Sequence, residues 1–145
     1  MKRRSFLSMF AGLCSLPSLS RAQSQVSDPA IVAVTKGARL VRERVKLEMP
    51  VIAENGNAVP LKVSVTSPMS ATDYVKAIHL VSDRNPVRNM ASFNLGPYSG
   101  RAELSTRVRL AGSQNVTAIA EMSDGSFWMD RTHVQVTLSA CLDES

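Results

Sequence analysis

Cysteine and histidine are the side chains of this sequence best suited to covalent or metal chemistry, and there are few of them. The 145-residue chain contains two cysteines, Cys14 and Cys141, and two histidines, His79 and His133. Cys141 stands in the stretch VQVTLSACLDES, where the alternating pattern of a β-strand runs into a thiol near the end of the sequence. Such a thiol can bond to a partner, act as a free nucleophile, or fill a core as a small apolar side chain.

The first 22 residues predict a cleaved export signal, which changes how both cysteines are interpreted. Three basic residues come first, an apolar run of about a dozen residues follows, and small residues precede a cleavage site after Ala22. The apolar run is too short to cross a bilayer as a helix. We therefore predict a signal over residues 1–22 and a mature chain over residues 23–145.

The start of this signal favours twin-arginine export. Arg3 and Arg4 are followed by Phe6 and Leu7 at the spacing typical of such signals; the alternative is an ordinary secretory signal with two arginines. Either signal exports the chain, and we predict a periplasmic location. Cys14 follows a bulky leucine, whereas lipid-anchored cysteines follow a small residue, so we predict no membrane anchor.

Removing the signal also changes the net charge. The full chain carries +5, but four of its basic residues lie in a signal without acidic residues, which leaves the mature chain at +1. A domain this close to neutral has no excess of positive charge to attract a phosphate backbone. We therefore exclude nucleic-acid binding.

The mature chain keeps Cys141 as its single cysteine. In an oxidising compartment, an unpaired cysteine indicates an intermolecular disulfide or a thiol with a function. The residues after it are few and acidic, so they cannot bury it. We expect an accessible thiol and favour a working one over a structural core cysteine.

The body of the mature chain has the pattern of an all-β immunoglobulin-like sandwich of about seven strands. The stretches with strand character are VKLEMPVI, AVPLKVSVTS, YVKAIHLVS, MASFNL, AELSTRVRLA, NVTAIAEM and FWMDRTHVQVTLSA. Asn-Gly in ENGN and Asp-Gly in SDGS predict hairpin turns. A short helix is predicted to begin at Asp28, with Pro29 in its first turn, and to weaken or end at Gly37.

Motifs for catalysis are missing. Each histidine lies in an alternating strand, and with one cysteine they offer no zinc-site spacing. His133 and Cys141 are roughly 26 Å apart along an extended strand, so they cannot form a Cys–His pair within it. A pair that the fold brings together in space stays open. The sequence has no phosphate loop, G-x-S-x-G or H-E-x-x-H motif. We predict a non-catalytic carrier or binding domain with no metal or organic cofactor.

Several blocks of the sequence resemble the SoxY family, the sulfur-carrier subunit of bacterial thiosulfate oxidation. These blocks are AENGN, LGPYSGRAELSTRVRL, AIAEMSDGSFW and the terminal VTLSAC, and the similarity covers nearly all of the mature chain. The resemblance implies an immunoglobulin-like sandwich that pairs with a SoxZ-like subunit. It implies that sulfur intermediates are attached covalently to Cys141, where a c-type cytochrome and a sulfate-releasing hydrolase act on them. Edge strands and the aromatic residues of GSFW are the predicted contacts with SoxZ.

The carrier arm departs from the family pattern. The usual tail is Gly-Gly-Cys-Gly-Gly, whereas here Ser139 and Ala140 precede Cys141, and Leu142 and Asp143 follow it. Glycine gives an arm slack and a thin profile, and negative charge near the sulfur disfavours a thiolate. Two functions therefore stay open. The first is a covalent sulfur carrier; the second is a SoxY-like structural or regulatory binding subunit without carrier activity.

Overall fold

A computed structural model describes residues 28–141 as one short helix and nine strands. The elements are α1 (Pro29–Thr35), β1 (Leu40–Val41), β2 (Val45–Glu48), β3 (Ile52–Asn55), a 3-10 turn (Gly56–Ala58), β4 (Val59–Val65), β5 (Val75–Ser82), β6 (Asn89–Asn94), β7 (Glu103–Val108), β8 (Gln114–Met122) and β9 (Phe127–Leu138). Outside the described residues lie the predicted signal, with Arg3, Arg4, Phe6, Leu7, Cys14 and Ala22, and the predicted arm residues Leu142 and Asp143.

The strands form two sheets that pack face to face. The larger sheet has the order β1-β9-β8-β5-β6, with β3 also pairing with β9, and the smaller has the order β2-β4-β7. Strands β1 and β3 run parallel to β9, and the other pairs are antiparallel. The predicted immunoglobulin-like β-sandwich is confirmed.

Strict alternation in β4 places its apolar side chains in the core between the sheets. Val59, Leu61, Val63 and Val65 are between 0% and 7% exposed, and they belong to one cluster with the inward side chains of β8. Full burial of a Val or Leu side chain stabilises the fold by about 1.5–3 kcal/mol. Lys62, between two buried residues, is exposed, so the predicted alternation is confirmed.

One of the two predicted hairpins is wrong, and the other forms. The stretch VKLEMPVI divides at Pro50 into β2 and β3, and β3 pairs with β9 instead of turning back onto β4. Gly56 lacks the positive φ that an Asn-Gly hairpin turn requires. Gly125 in SDGS has φ +82°, and it joins β8 to β9 as an antiparallel pair.

Helix α1 covers part of the outer face of the larger sheet. Asp28 caps it by accepting a hydrogen bond of 3.0 Å from the backbone N–H of Ala30, and Lys36, with φ 54°, ends it in the left-handed conformation. Ile31 packs into a second apolar cluster that includes Phe127. The predicted helix is confirmed, and it buries the phenylalanine of GSFW to 8% exposure.

A cluster of polar side chains on the outer face of the larger sheet surrounds His79, the more buried of the two histidines. Nδ1 of His79 lies 2.8 Å from Oγ of Ser92, and Nε2 lies 3.9 Å from a carboxylate oxygen of Glu121, which also pairs with Lys76 at 2.9 Å. The His79 side chain is 16% exposed. Burial lowers the pKa of His79, against an opposing effect from the Glu121 carboxylate.

This burial predicts a pH-dependent contribution to stability. Because the folded-state pKa lies below the unfolded value of 6.5, the unfolded chain takes up a proton first as the pH falls. We expect the free energy of unfolding of the wild type, minus that of His79→Gln, to decrease between about pH 7.5 and about pH 5. Urea titrations at several pH values measure this difference. A difference that stays constant over that range would show that His79 does not contribute.

Candidate functional site

Strand β9 leads to Cys141 at the surface, and hydrogen bonds hold the last residues of this strand in place. The backbone N–H of Gln135 donates to the carbonyl of Val51 at 2.8 Å, and that of Val136 donates to Oγ of Ser113 at 2.9 Å. The pairing with β3 continues to Leu138. Cys141 follows three residues later and is exposed, as the sequence predicts.

The residue before Cys141 is fixed to the body of the domain. The backbone N–H of Ala140 donates to the carbonyl of Leu110 at 3.0 Å, and the N–H of Leu110 donates to the carbonyl of Gly56 at 2.8 Å. Ala140 is 8% exposed, whereas Ser139 is exposed. Of the predicted arm residues that are described, one is therefore buried against the sandwich, and the thiol stands directly beyond it.

Gly56 makes this arrangement possible by its lack of a side chain. A Cβ at this position would lie 2.5 Å from the carbonyl oxygen of Leu110 and 2.9 Å from the backbone nitrogen of Ala140. These are backbone atoms, which cannot move aside without opening the hydrogen bonds they form. The glycine of ENGN therefore allows its own backbone to approach the backbone of Leu110 and Ala140 closely beneath the arm. Sequence reasoning assigned it to a turn, because an Asn-Gly pair is typical of a hairpin.

We predict that Gly56→Ala loosens the base of the arm. The overlap with Leu110 and Ala140 should lower the free energy of unfolding by about 1–3 kcal/mol, as overpacking does. It should also speed hydrogen exchange at the Ala140 amide. Denaturant titration and exchange by NMR measure both effects.

Gly96→Ala is the matched control for this prediction. No atom lies within 4 Å of a Cβ at Gly96, so its stability should change by no more than about 0.5 kcal/mol. Equal effects of the two substitutions would contradict the role given to Gly56.

The histidines do not join the thiol. His79 is hydrogen-bonded to Ser92, and His133 lies 3.2 Å from Oδ1 of Asn115. Strand β9 runs extended from His133 to Leu138, which carries Cys141 away from that ring. The Cys–His pair that the sequence left open is therefore not formed within residues 28–141.

Positive charge lies close to the arm. A Cβ at Gly112 would be 3.3 Å from Nη1 of Arg84 and 3.5 Å from Oγ of Ser139, so these two side chains flank the same glycine. Among the described residues, no three His, Cys, Asp or Glu side chains are grouped closely enough to hold a metal ion. None of the helices in residues 28–141 has the length and hydrophobicity needed to cross a membrane.

The sequence profile of the family described as sulfur oxidation protein SoxY matches residues 31–141. The chain belongs to the SoxY family. The match extends from α1 to the thiol, so it includes both the sandwich and the candidate site. No curated protein sequence matches the chain significantly.

Two solved structures are similar to the chain, and the first of them agrees with this family assignment. The chain is similar to the sulfur carrier protein SoxY from Chlorobium limicola f thiosulfatophilum, with 25% identity and a TM-score of 0.61 over 74% of this chain and 88% of that one. A superoxide reductase (neelaredoxin) from Ignicoccus hospitalis matches with 19% identity and a TM-score of 0.57 over 65% of this chain and 80% of that one. The second likeness shows a shared fold alone.

Proposed function

We propose that this chain is a periplasmic sulfur carrier that holds sulfur intermediates on Cys141 for other enzymes of thiosulfate oxidation. The observation that carries this proposal is the exposed thiol placed directly after a residue bonded to the sandwich. Membership of the SoxY family and the likeness to a sulfur carrier support it. A thiol presented in this way is accessible to another protein while the β-sandwich behind it stays folded.

The chemistry of loading assigns different tasks to the carrier and its enzymes. Joining thiosulfate to Cys141 forms a sulfur–sulfur bond, releases the thiol proton and removes two electrons, which we assign to the expected c-type cytochrome as acceptor. Hydrolysis of the terminal sulfonate then takes up water, releases sulfate, and leaves a persulfide on Cys141. Neither histidine lies at the thiol to act as a base, so the carrier supplies position and the enzymes supply activation.

A second function is favoured by one observation, the hydrogen bond that holds Ala140 to Leu110. An arm that cannot leave the sandwich would not enter another protein's active site. The chain would then be a structural or regulatory SoxY-like binding subunit of a SoxYZ-type complex. The two functions differ in whether sulfur is found on Cys141.

We predict that Cys141→Ser abolishes thiosulfate-dependent oxygen uptake in cells with no other SoxY-like gene. Wild-type protein purified from cells growing on thiosulfate should show added sulfur mass on the peptide containing Cys141. Folding and partner binding should be unchanged, because the Cys141 side chain is exposed and its replacement removes no packing contact. Intact-mass spectrometry and oxygen-electrode rates measure these results.

Ser139→Ala is the control, since it changes an exposed neighbour of the thiol and leaves the sulfur in place. Normal oxygen uptake in the Cys141→Ser strain would overturn the carrier function and favour the structural subunit.

We propose further that a SoxZ-like subunit binds along strand β3. The aromatic residues of GSFW contribute little free surface, since Phe127 is 8% exposed and Trp128 is half-buried with Arg44 4.8 Å from its ring centroid. Strand β3 instead pairs only with β9 among the described strands. Ile52 at its start and Val51 directly before it are 60% and 72% exposed, and apolar side chains at an edge strand are suited to partner contact.

We predict that Ile52→Glu weakens binding to a SoxZ-like subunit by roughly tenfold or more, because it places a charge in an apolar contact. The control is Val32→Glu, at an exposed position on α1. Isothermal titration measures both affinities, and circular dichroism verifies folding. Similar affinities for the two variants would place the partner elsewhere.

A further inference from the structure

Asn55 and Gly56 form the one Asn-Gly pair of the sequence, and such a pair can modify itself. The backbone nitrogen of the glycine attacks the side-chain carbonyl carbon of the asparagine, and its proton passes to the side-chain nitrogen, which leaves as ammonia. Water then opens the resulting succinimide ring to aspartate or to isoaspartate, in which the backbone continues through the side-chain carboxyl carbon. Glycine favours the attack because it has no side chain to hinder it and its backbone rotates freely.

The backbone of Asn55 keeps the reacting atoms apart. Ring closure requires the nitrogen of Gly56 to lie on the same side of the Asn55 Cα–C bond as the Cβ of Asn55. In the structure Asn55 is extended, with φ −129° and ψ 114°. This ψ places the Gly56 nitrogen on the side away from Cβ. The reaction therefore requires a large rotation of the peptide group that joins the two residues.

The side chain of Asn55 opposes this rotation. Its Oδ1 accepts a hydrogen bond of 2.9 Å from the backbone N–H of Asn57 and one of 3.0 Å from the side-chain amide of Asn57. Such a bond to the backbone two residues further on is the local turn that asparagine favours. Rotating the peptide group before Gly56 would move Asn57 away from Oδ1, so both bonds would be lost.

The contacts of Gly56 prevent the rotation in the closed structure. Its carbonyl accepts from the N–H of Leu110 at 2.8 Å, and β3 pairs with β9 up to the partners Asn55 and Leu138. Backbone atoms of Leu110 and Ala140 lie so close to Gly56 that not even one added carbon would fit. The peptide group can turn only when these contacts open locally.

We propose that Asn55 is a deamidation site which the contacts of Gly56 protect and which reacts when those contacts open. Opening one segment costs less free energy than unfolding the whole domain, so the reaction takes place in chains that are otherwise folded. The modification requires no sulfur transfer, so it goes beyond the proposed carrier function and does not rest on it.

Isoaspartate at position 55 would keep the contacts from closing again. It lengthens the backbone by one carbon atom directly before Gly56, where the space against Leu110 and Ala140 admits no added carbon. The bonds from Leu110 to Gly56 and from Ala140 to Leu110 then lose their alignment, which weakens them steeply. Deamidation thus converts a transient opening into a permanent one.

The first test is the rate of deamidation in the full-length mature chain at slightly alkaline pH. Trypsin releases residues 47–62 as one peptide, because Lys46 and Lys62 precede its two cleavage sites. Mass spectrometry with backbone fragmentation measures the product at Asn55, and a digest at time zero corrects for reaction during handling. A synthetic peptide of residues 47–62 is the unfolded reference. The folded chain should react at least about tenfold more slowly than the peptide, and equal rates would overturn the proposal.

Two variants that loosen the contacts should speed the reaction. Ala140→Pro removes the N–H that binds Leu110 and leaves the reacting pair unchanged, so deamidation at Asn55 should rise about three- to tenfold. Asn57→Ala removes the side-chain bond to Oδ1 and should act in the same direction, measured against a peptide with the same change. Circular dichroism verifies folding of both variants. If neither variant reacts faster than the wild type, the contacts do not protect Asn55.

Ile119→Val is the matched control for the route of the reaction. It removes one carbon from the apolar cluster beneath α1, which contains none of the residues that contact Gly56. It lowers the stability of the whole domain, so the rate at Asn55 should stay at the wild-type value if opening is local. An increase equal to that of Ala140→Pro would show that Asn55 reacts through global unfolding, which contradicts the proposal.

The consequence of the modification is measured by hydrogen exchange. Chromatography separates the isoaspartate form, and its Leu110 and Ala140 amides should exchange faster than those of the wild type. Asn55→Asp adds the same charge on a normal backbone, so its amides should exchange at the wild-type rate. Equal exchange in the isoaspartate form and the wild type would overturn the lasting opening. These readouts do not involve sulfur, so they decide the proposal even if Cys141 proves not to be a carrier.

Discussion

Two hydrogen bonds, from Ala140 to Leu110 and from Leu110 to Gly56, determine where the bonded part of the domain ends and the exposed thiol begins. They require three backbone segments to approach more closely than side chains allow, and Gly56 satisfies that requirement. Strand β3 leads into this glycine, and β9 leads into Ala140, so the parallel pairing of these strands brings the segments together. The position of Cys141 is therefore a consequence of sheet topology.

Alternation and local signals sufficed to predict the sandwich, because inward and outward side chains differ in polarity along β4 and β7. The same holds for α1, whose cap and end depend on neighbouring residues. The pairing of β3 with β9 was not predictable, since it joins segments more than 80 residues apart through backbone atoms that carry no residue-specific signal. The Asn-Gly pair was misassigned for this reason, because a glycine needed for close approach has the same sequence appearance as a glycine needed for a turn.

For the candidate site, the residue type and position predicted an accessible thiol at Cys141, and the structure shows it exposed. The burial of Ala140 was not predictable, because alanine and serine in a terminal stretch look equally free. The position of Arg84 beside Gly112 and Ser139 was equally hidden, since these residues are far apart in the sequence and approach one another only in the fold. Charge counted over the whole chain cannot reveal that one guanidinium lies near the base of the arm.

The direction of β9 also determines how the domain responds to mechanical load. In the proposed carrier function, an enzyme that draws Cys141 into its active site would pull along the axis of β9. Its pairs with β8 and β3 lie side by side along that axis, so they would have to break together in shear instead of opening one at a time. The Ala140–Leu110 bond lies beyond the end of this row, so it would break first under such a load. A single hydrogen bond would therefore break before the strand pairing of β9 does. The arm would lengthen by a residue or two while the sandwich stays intact.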